Sequence, residues 1–174
     1  MAADDNAGSV RPGSPVESES EIMPVAVKGL GHIVLYVADL TRSTQFYRDV
    51  LGWPLLHMHG AAAAVFRAAD IHHDLLLLEV GPHAAPLPAG PRLGLYHFGV
   101  KMGDSDDDLR AVRSRLMSRP DLGKVHGAVD GGFIHSLYTE DPDGNEVELY
   151  IDVPGWDWSA PDAAERAGRA PLVL

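Results

Sequence analysis

The chain has 174 residues, 45% apolar and 22% charged, with a formal charge of −11 and no cysteine. That size and balance predict one soluble cytoplasmic domain, with no run near the roughly 18 apolar residues of a membrane helix and no signal-peptide order at the start. Without cysteine, disulfides, thiolate ligands and thiol nucleophiles are excluded, and the acidic excess argues against nucleic acid, whose binding draws on clustered Lys and Arg.

Residues 1–24 are rich in Ser, Gly, Pro and acids and carry no apolar period, which predicts a disordered acidic tail ahead of a folded domain over 25–158. In GHIVLYV, His32, Val34 and Tyr36 alternate with Ile33, Leu35 and Val37, the pattern of a strand with one apolar back. Asp39 or Thr41 can cap a helix on which Leu40, Phe46, Tyr47, Val50 and Leu51 recur at helical spacing, and Gly52 suits its exit. Strands are predicted near 54–59, 63–68 and 74–80. The order then repeats: strand 93–102, helix 105–118 capped by Ser105, and strands near 124–128, 133–140 and 145–152, the last two joined by the turn Asp141-Pro142-Asp143-Gly144. Trp156 and Trp158 can dock on the body, leaving 159–174 as a C-terminal tail.

The repetition is also one of words. GLGHIVLYVADL at residues 29–40 returns as GLYHFGVKMGDS at 94–105, and each half closes on a strand bearing a carboxylate, Glu79 in LLLLEV and Glu148 in NEVELY. The fold class that follows is α+β: two βαβββ modules, about 29–81 and 93–153, forming a curved mixed-sheet cup with helices outside. On the second module His97 shares a face with Gly99 and Lys101, while Glu148 shares one with Glu146 and Tyr150, opposite the apolar Val147, Leu149 and Ile151. If the polar faces meet, two imidazoles and one or two carboxylates converge, a ligand set suited to divalent iron, manganese, nickel or zinc. A lone strand histidine is more often a hydrogen-bonded structural group; its recurrence beside a carboxylate in both halves favours the metal.

Over residues 29–153 the sequence resembles the vicinal oxygen chelate superfamily, which includes glyoxalase I, extradiol dioxygenases, fosfomycin-resistance enzymes and bleomycin-binding proteins. GHIVLYVADLTRSTQFYRDVLGW is similar to its opening strand and helix, and SLYTEDPDGNEVELY to its closing hairpin. The resemblance implies His32, His97 and Glu148 as a facial metal triad, with Glu79 at the fourth-ligand position of glyoxalase-type members. The closing hairpin is most similar to extradiol dioxygenases, which maps Tyr138 onto a substrate-binding tyrosine and implies Fe(II), O2 and a catechol-like or other bidentate oxygen substrate. Those enzymes carry a proton-shuttling histidine where this chain has Val129, Asp130 and Gly131. His135 is the nearby candidate acid or base, although alternation from Tyr138 sets it on the opposite face unless a bulge intervenes.

Two rival readings follow: a glyoxalase-like lyase or isomerase using Glu79 as ligand and base, and a non-catalytic drug- or metabolite-binding pocket. The cup is expected to close within one chain or across a homodimer. Other polar residues read as structural: His57 and His59 as a solvated strand end, Glu140 and Glu146 as hairpin charges, and the acids of 104–108 as a helix start. His72 and His73 would fall on opposite faces of a regular strand, so both could not ligate; one would line the pocket mouth.

Overall fold

The computed structural model describes residues 26–157 and 159–174, so the predicted acidic tail and Trp158 lie outside the described residues. Of the described residues, those before Gly31 fall outside the unit formed by the rest of the chain to Leu174, and every regular element belongs to that larger unit.

Each half has the predicted order. In the first, strand β1 (Ile33–Val37) leads into α1 (Leu40–Gln45), and β2 (Leu55–His59), β3 (Ala63–Phe66) and β4 (Leu75–Glu79) follow. Asp39 caps α1, its carboxylate accepting from the Arg42 N–H at 2.9 Å. Beyond Gln45 the helix widens into a π-helical turn, Phe46–Val50, which ends where Gly52 adopts a left-handed φ of 82°. In the second half, β5 (His97–Gly103) leads to α2 (Asp106–Ser118), then β6 (Lys124–Asp130), β7 (Ile134–Glu140) and β8 (Glu146–Asp152).

The strands form two sheets, one from each predicted module. One has the order β1-β4-β3-β2; the other has the order β5-β8-β7-β6 and is extended at its far side by β9 (Ala170–Pro171). The C-terminal residues are therefore not a loose tail. A short helix, α3 (Ala163–Arg166), turns the chain back, and β9 pairs with β6 through Val129 and Asp130. In both modules the first strand lies parallel to the last and at the free edge of its sheet.

Alternation decides what each face does. Leu35, Val37, Leu75 and Leu77 of one sheet and Val147, Leu149 and Ile151 of the other are buried, as are the inward residues Leu40, Phe46, Tyr47, Leu109, Val112 and Leu116 of the helices. These residues belong to one continuous core, so the modules share their helix-side packing. Polar bonds fix the seam. Buried Tyr47 donates to the Asp141 carboxylate at 2.7 Å, and Asp141 also receives the N–H groups of Asp143 and Asn145, which shapes the predicted hairpin turn. Asp143 in turn receives the Ala38 N–H and the Ser43 hydroxyl. Burial raises the pKa of both Tyr47 and Asp141, each chiefly through desolvation.

Candidate functional site

The opposite faces of the sheets carry the chemistry. On β8, Glu148 points away from the core yet is only 9% exposed, because neighbouring side chains enclose it. Ser136 and Tyr138 stand on the adjoining strand β7, where Tyr138 is paired with Glu148 in register. Both hydroxyls donate to Glu148 Oε1, at 2.7 and 2.8 Å. Its other oxygen, Oε2, lies 3.1 Å from His97 Nε2 across the parallel β5–β8 pair. Gly99 leaves room for this arrangement, since a Cβ there would stand 3.3 Å from the Tyr150 ring and 3.8 Å from Glu148 Oε2.

The set suits a divalent cation. Two cis ligands of an octahedral ion, each at about 2.1 Å, are separated by about 3 Å, the spacing already held by His97 Nε2 and Glu148 Oε2. Glu148 Oε1 is fully occupied by hydroxyls, which orients the carboxylate as supporting hydrogen bonds do around metal ligands. The Tyr138 phenol has its pKa pushed up to about 12, by burial first and then by its bond to Glu148, so it remains a donor throughout the physiological range. Sequence reading missed Ser136, although its alternation with Tyr138 places it on the same face. It also missed Arg169, whose guanidinium lies 5.9 Å from the centre of the Tyr138 ring because the C-terminal segment folds back.

His32 is elsewhere. It precedes β1 on the exposed side with Val34 and Tyr36, as alternation predicts, but its ring lies 4.4 Å from that of His73 and 5.5 Å from that of His72. Among the described residues, the group of three or more metal-capable side chains whose ligand atoms lie within 4.8 Å of one another is His32, His72 and His73. The expectation that His72 and His73 diverge fails because they lie in the loop before β4, where strand alternation does not apply. Their Nδ1 atoms are 2.6 Å apart. Burial and the neighbouring imidazoles lower the His73 pKa, so the neutral ring is favoured.

Two expected site residues are corrected by the structure. Glu79 was matched to Glu148 by the likeness of LLLLEV and NEVELY, but register contradicts the match. In the second module Glu148 pairs with Gly99, two residues beyond His97; two residues beyond His32 is Val34, and it pairs with Leu76. Glu79 lies three residues further, on the opposite face, where its Oε2 accepts the Leu40 N–H at 2.8 Å and caps α1. His135 likewise faces the helices. The β7–β8 register runs without a bulge, and His135 Nδ1 sits 2.6 Å from Asp106 at the start of α2, away from Tyr138.

The profile of the Glyoxalase/Bleomycin resistance protein/Dioxygenase superfamily matches residues 29–149. A catechol-2,3-dioxygenase from Bacillus subtilis is 36% identical over 129 residues, covering 74% of this chain and 43% of that protein. A biphenyl-2,3-diol 1,2-dioxygenase from Rhodococcus globerulus is 34% identical over 128 residues, 71% of this chain and 63% of that one. The chain thus spans less than two thirds of either dioxygenase. A lactoylglutathione lyase from Haemophilus influenzae is 30% identical over 124 residues, 68% of this chain and 88% of the lyase. Among solved structures, a glyoxalase/dioxygenase from Nostoc punctiforme aligns with a TM-score of 0.60 at 23% identity, over 76% of this chain and 97% of the other, a likeness of fold.

Proposed function

The chain belongs to the glyoxalase/bleomycin resistance/dioxygenase superfamily, and from that premise we propose that it is a metal-dependent, extradiol-type dioxygenase acting on a catechol-like diol. The relatives it matches are mostly enzymes, dioxygenases and lyases among them. The observation that favours the first over the second is Leu76. It occupies the register position that Glu148 holds in the other module, so the repeat offers one carboxylate, not two. A set of two imidazoles and one carboxylate leaves three positions of an octahedral ion open, enough for a bidentate diol and O2, whereas a fourth protein ligand would obstruct them.

His97 and Glu148 hold the metal in this reading, with Fe(II) the expected ion, and His32 completes the set from a second copy of the chain. Within one chain His32 keeps company with His72 and His73 instead. The face that bears His32 is solvent-exposed and partly apolar, with Val34 44% and Tyr36 71% exposed, so a second copy would cover it. A two-fold pairing makes two equivalent sites. When bound, the ion supplies Lewis acidity and adjacent positions for both substrates. Glu148 is held in place by Ser136 and Tyr138; as negative charge develops on the substrate oxygen, the single Tyr138 hydroxyl proton turns from Glu148 to that oxygen, and Ser136 alone keeps the carboxylate oriented. Arg169 brings a cation to the same rim, which suits an ionised diol.

Purification without oxygen, followed by iron analysis and oxygen-uptake measurements over a panel of catechols, tests the reading. Iron near one per chain and diol-dependent uptake are expected. No uptake by iron-loaded protein overturns the dioxygenase and favours the lyase.

A further inference from the structure

His32, His72 and His73 are not needed together by the chemistry above, yet the chain brings them together by construction. The loop that carries His72 and His73 is pinned at its end by Asp74. That carboxylate accepts from the Trp53 indole at 2.8 Å and from the N–H groups of Ala68 and Ala69 at 2.7 and 2.9 Å. The Asp74 carbonyl receives the Ile33 N–H at 3.0 Å, which ties the loop to the residue directly after His32. Three imidazoles are thereby crowded against one another: the His72 and His73 rings are 4.4 Å apart, and both touch His32. The Nε2 of His73 is buried and has no hydrogen-bond partner among the described residues.

Such an arrangement is poor as a purely structural one. The two Nδ1 atoms at 2.6 Å can share one proton at most, and a charged imidazolium would repel its neighbours. A cation that accepts nitrogen lone pairs reverses that balance. Tetrahedral ligation at about 2.0–2.1 Å needs nitrogens roughly 3.3 Å apart, reached from a cluster within 4.8 Å by small ring rotations.

We propose that His32, His72 and His73 form a metal site of their own, complete in one chain, for a borderline divalent cation of the zinc class. Imidazole donors select zinc, copper, nickel or cobalt over calcium and magnesium. Three protein ligands leave a fourth position open to water. The site does not use His97 or Glu148, and it stands whether or not the dioxygenase reading does. It shares His32 with the proposed cup centre, so closure of the cup and occupancy of this site compete for that imidazole.

Titration of the full-length chain with Co2+ and Zn2+, followed by visible absorption and calorimetry, tests the site. The double variant His97→Ala/Glu148→Gln is expected to keep about one tightly bound Co2+ with the bands of a nitrogen-rich four-coordinate centre. His72→Gln/His73→Gln should weaken binding at least tenfold in that background. His72→Asn alone, at an exposed residue whose side-chain bond is to His73, should do the same without disturbing the fold. The second close pair of rings, His57 and His59 at 4.4 Å, provides a control, and replacing both should leave the binding intact. No Co2+ bound by His97→Ala/Glu148→Gln, undiminished binding after replacement of His72 and His73, or loss on replacing His57 and His59 overturns the proposal.

Discussion

Single residues divide cleanly by strand face. His32, His97, Glu148 and Tyr138 lie on the faces that alternation assigns them, because a period of two leaves no other choice once the apolar back is known. Glu79 shows the limit. Letters such as LLLLEV and NEVELY look alike, but partnership is set by register, which depends on where the loops end and is not written in the strand itself. Replacing Glu79 by Gln keeps an acceptor for the Leu40 N–H and removes only a charge near the start of α1. It is expected to cost less than about 1 kcal/mol of stability and to leave metal content unchanged; loss of the metal would restore Glu79 as a ligand. Tyr138→Phe probes the opposite case. Removing its hydroxyl leaves Ser136 as the other donor to Glu148, so the variant should retain metal while kcat falls by about 10²–10³ with little change in KM. Equal effects on both constants would make Tyr138 a packing residue.

Elements were readable where a local signal marks their ends. Helix α2 begins after Ser105, as its cap residue predicts, and Asp108 folds back so that Oδ2 accepts from the Asp104 and Ser105 N–H groups and the Ser105 hydroxyl. Gly103 makes room for this, since a Cβ there would meet the Asp108 carboxyl at 2.5 Å. The Ser105 hydroxyl bond, with the backbone bonds, holds the Asp108 pKa below its ordinary value. A carboxyl depressed in the folded state stabilises the protein above its unfolded pKa, near 4, and that contribution fades as pH falls through the folded value. Urea unfolding should therefore show Asp108→Asn less stable than wild type at pH 7 and the difference shrinking below about pH 4; a difference independent of pH would remove the charge from the explanation. Strand β9 and the placement of Arg169 had no such local mark. A two-residue strand pairs only because β6 presents a free edge, which is a property of the assembled sheet. The loop holding His72 and His73 was unreadable for the same reason: Asp74 anchors it to residues that are distant in sequence.

At the scale of the molecule, the modules share one core on their helix sides and leave the faces that carry His32, His97 and Glu148 turned away from it. The repeat and its fold were legible because the same words recur with the same periodicity, while the relation of one module to the other was not, since no periodicity encodes it. The central claim is that one copy's His97 and Glu148 take their third ligand, His32, from another copy. Subunit mixing measures this directly. In a background with both His72 and His73 replaced by Ala, chains carrying His32→Ala and chains carrying Glu148→Gln are each loaded with Fe(II) alone, then mixed in equal amounts, exchanged and loaded again. Each variant alone should retain no iron, and the mixture should regain it, because one pairing brings an intact His32 to an intact His97 and Glu148. A mixture as empty as its parents, when chains bearing His72→Ala and His73→Ala alone bind iron, would contradict a site shared between copies.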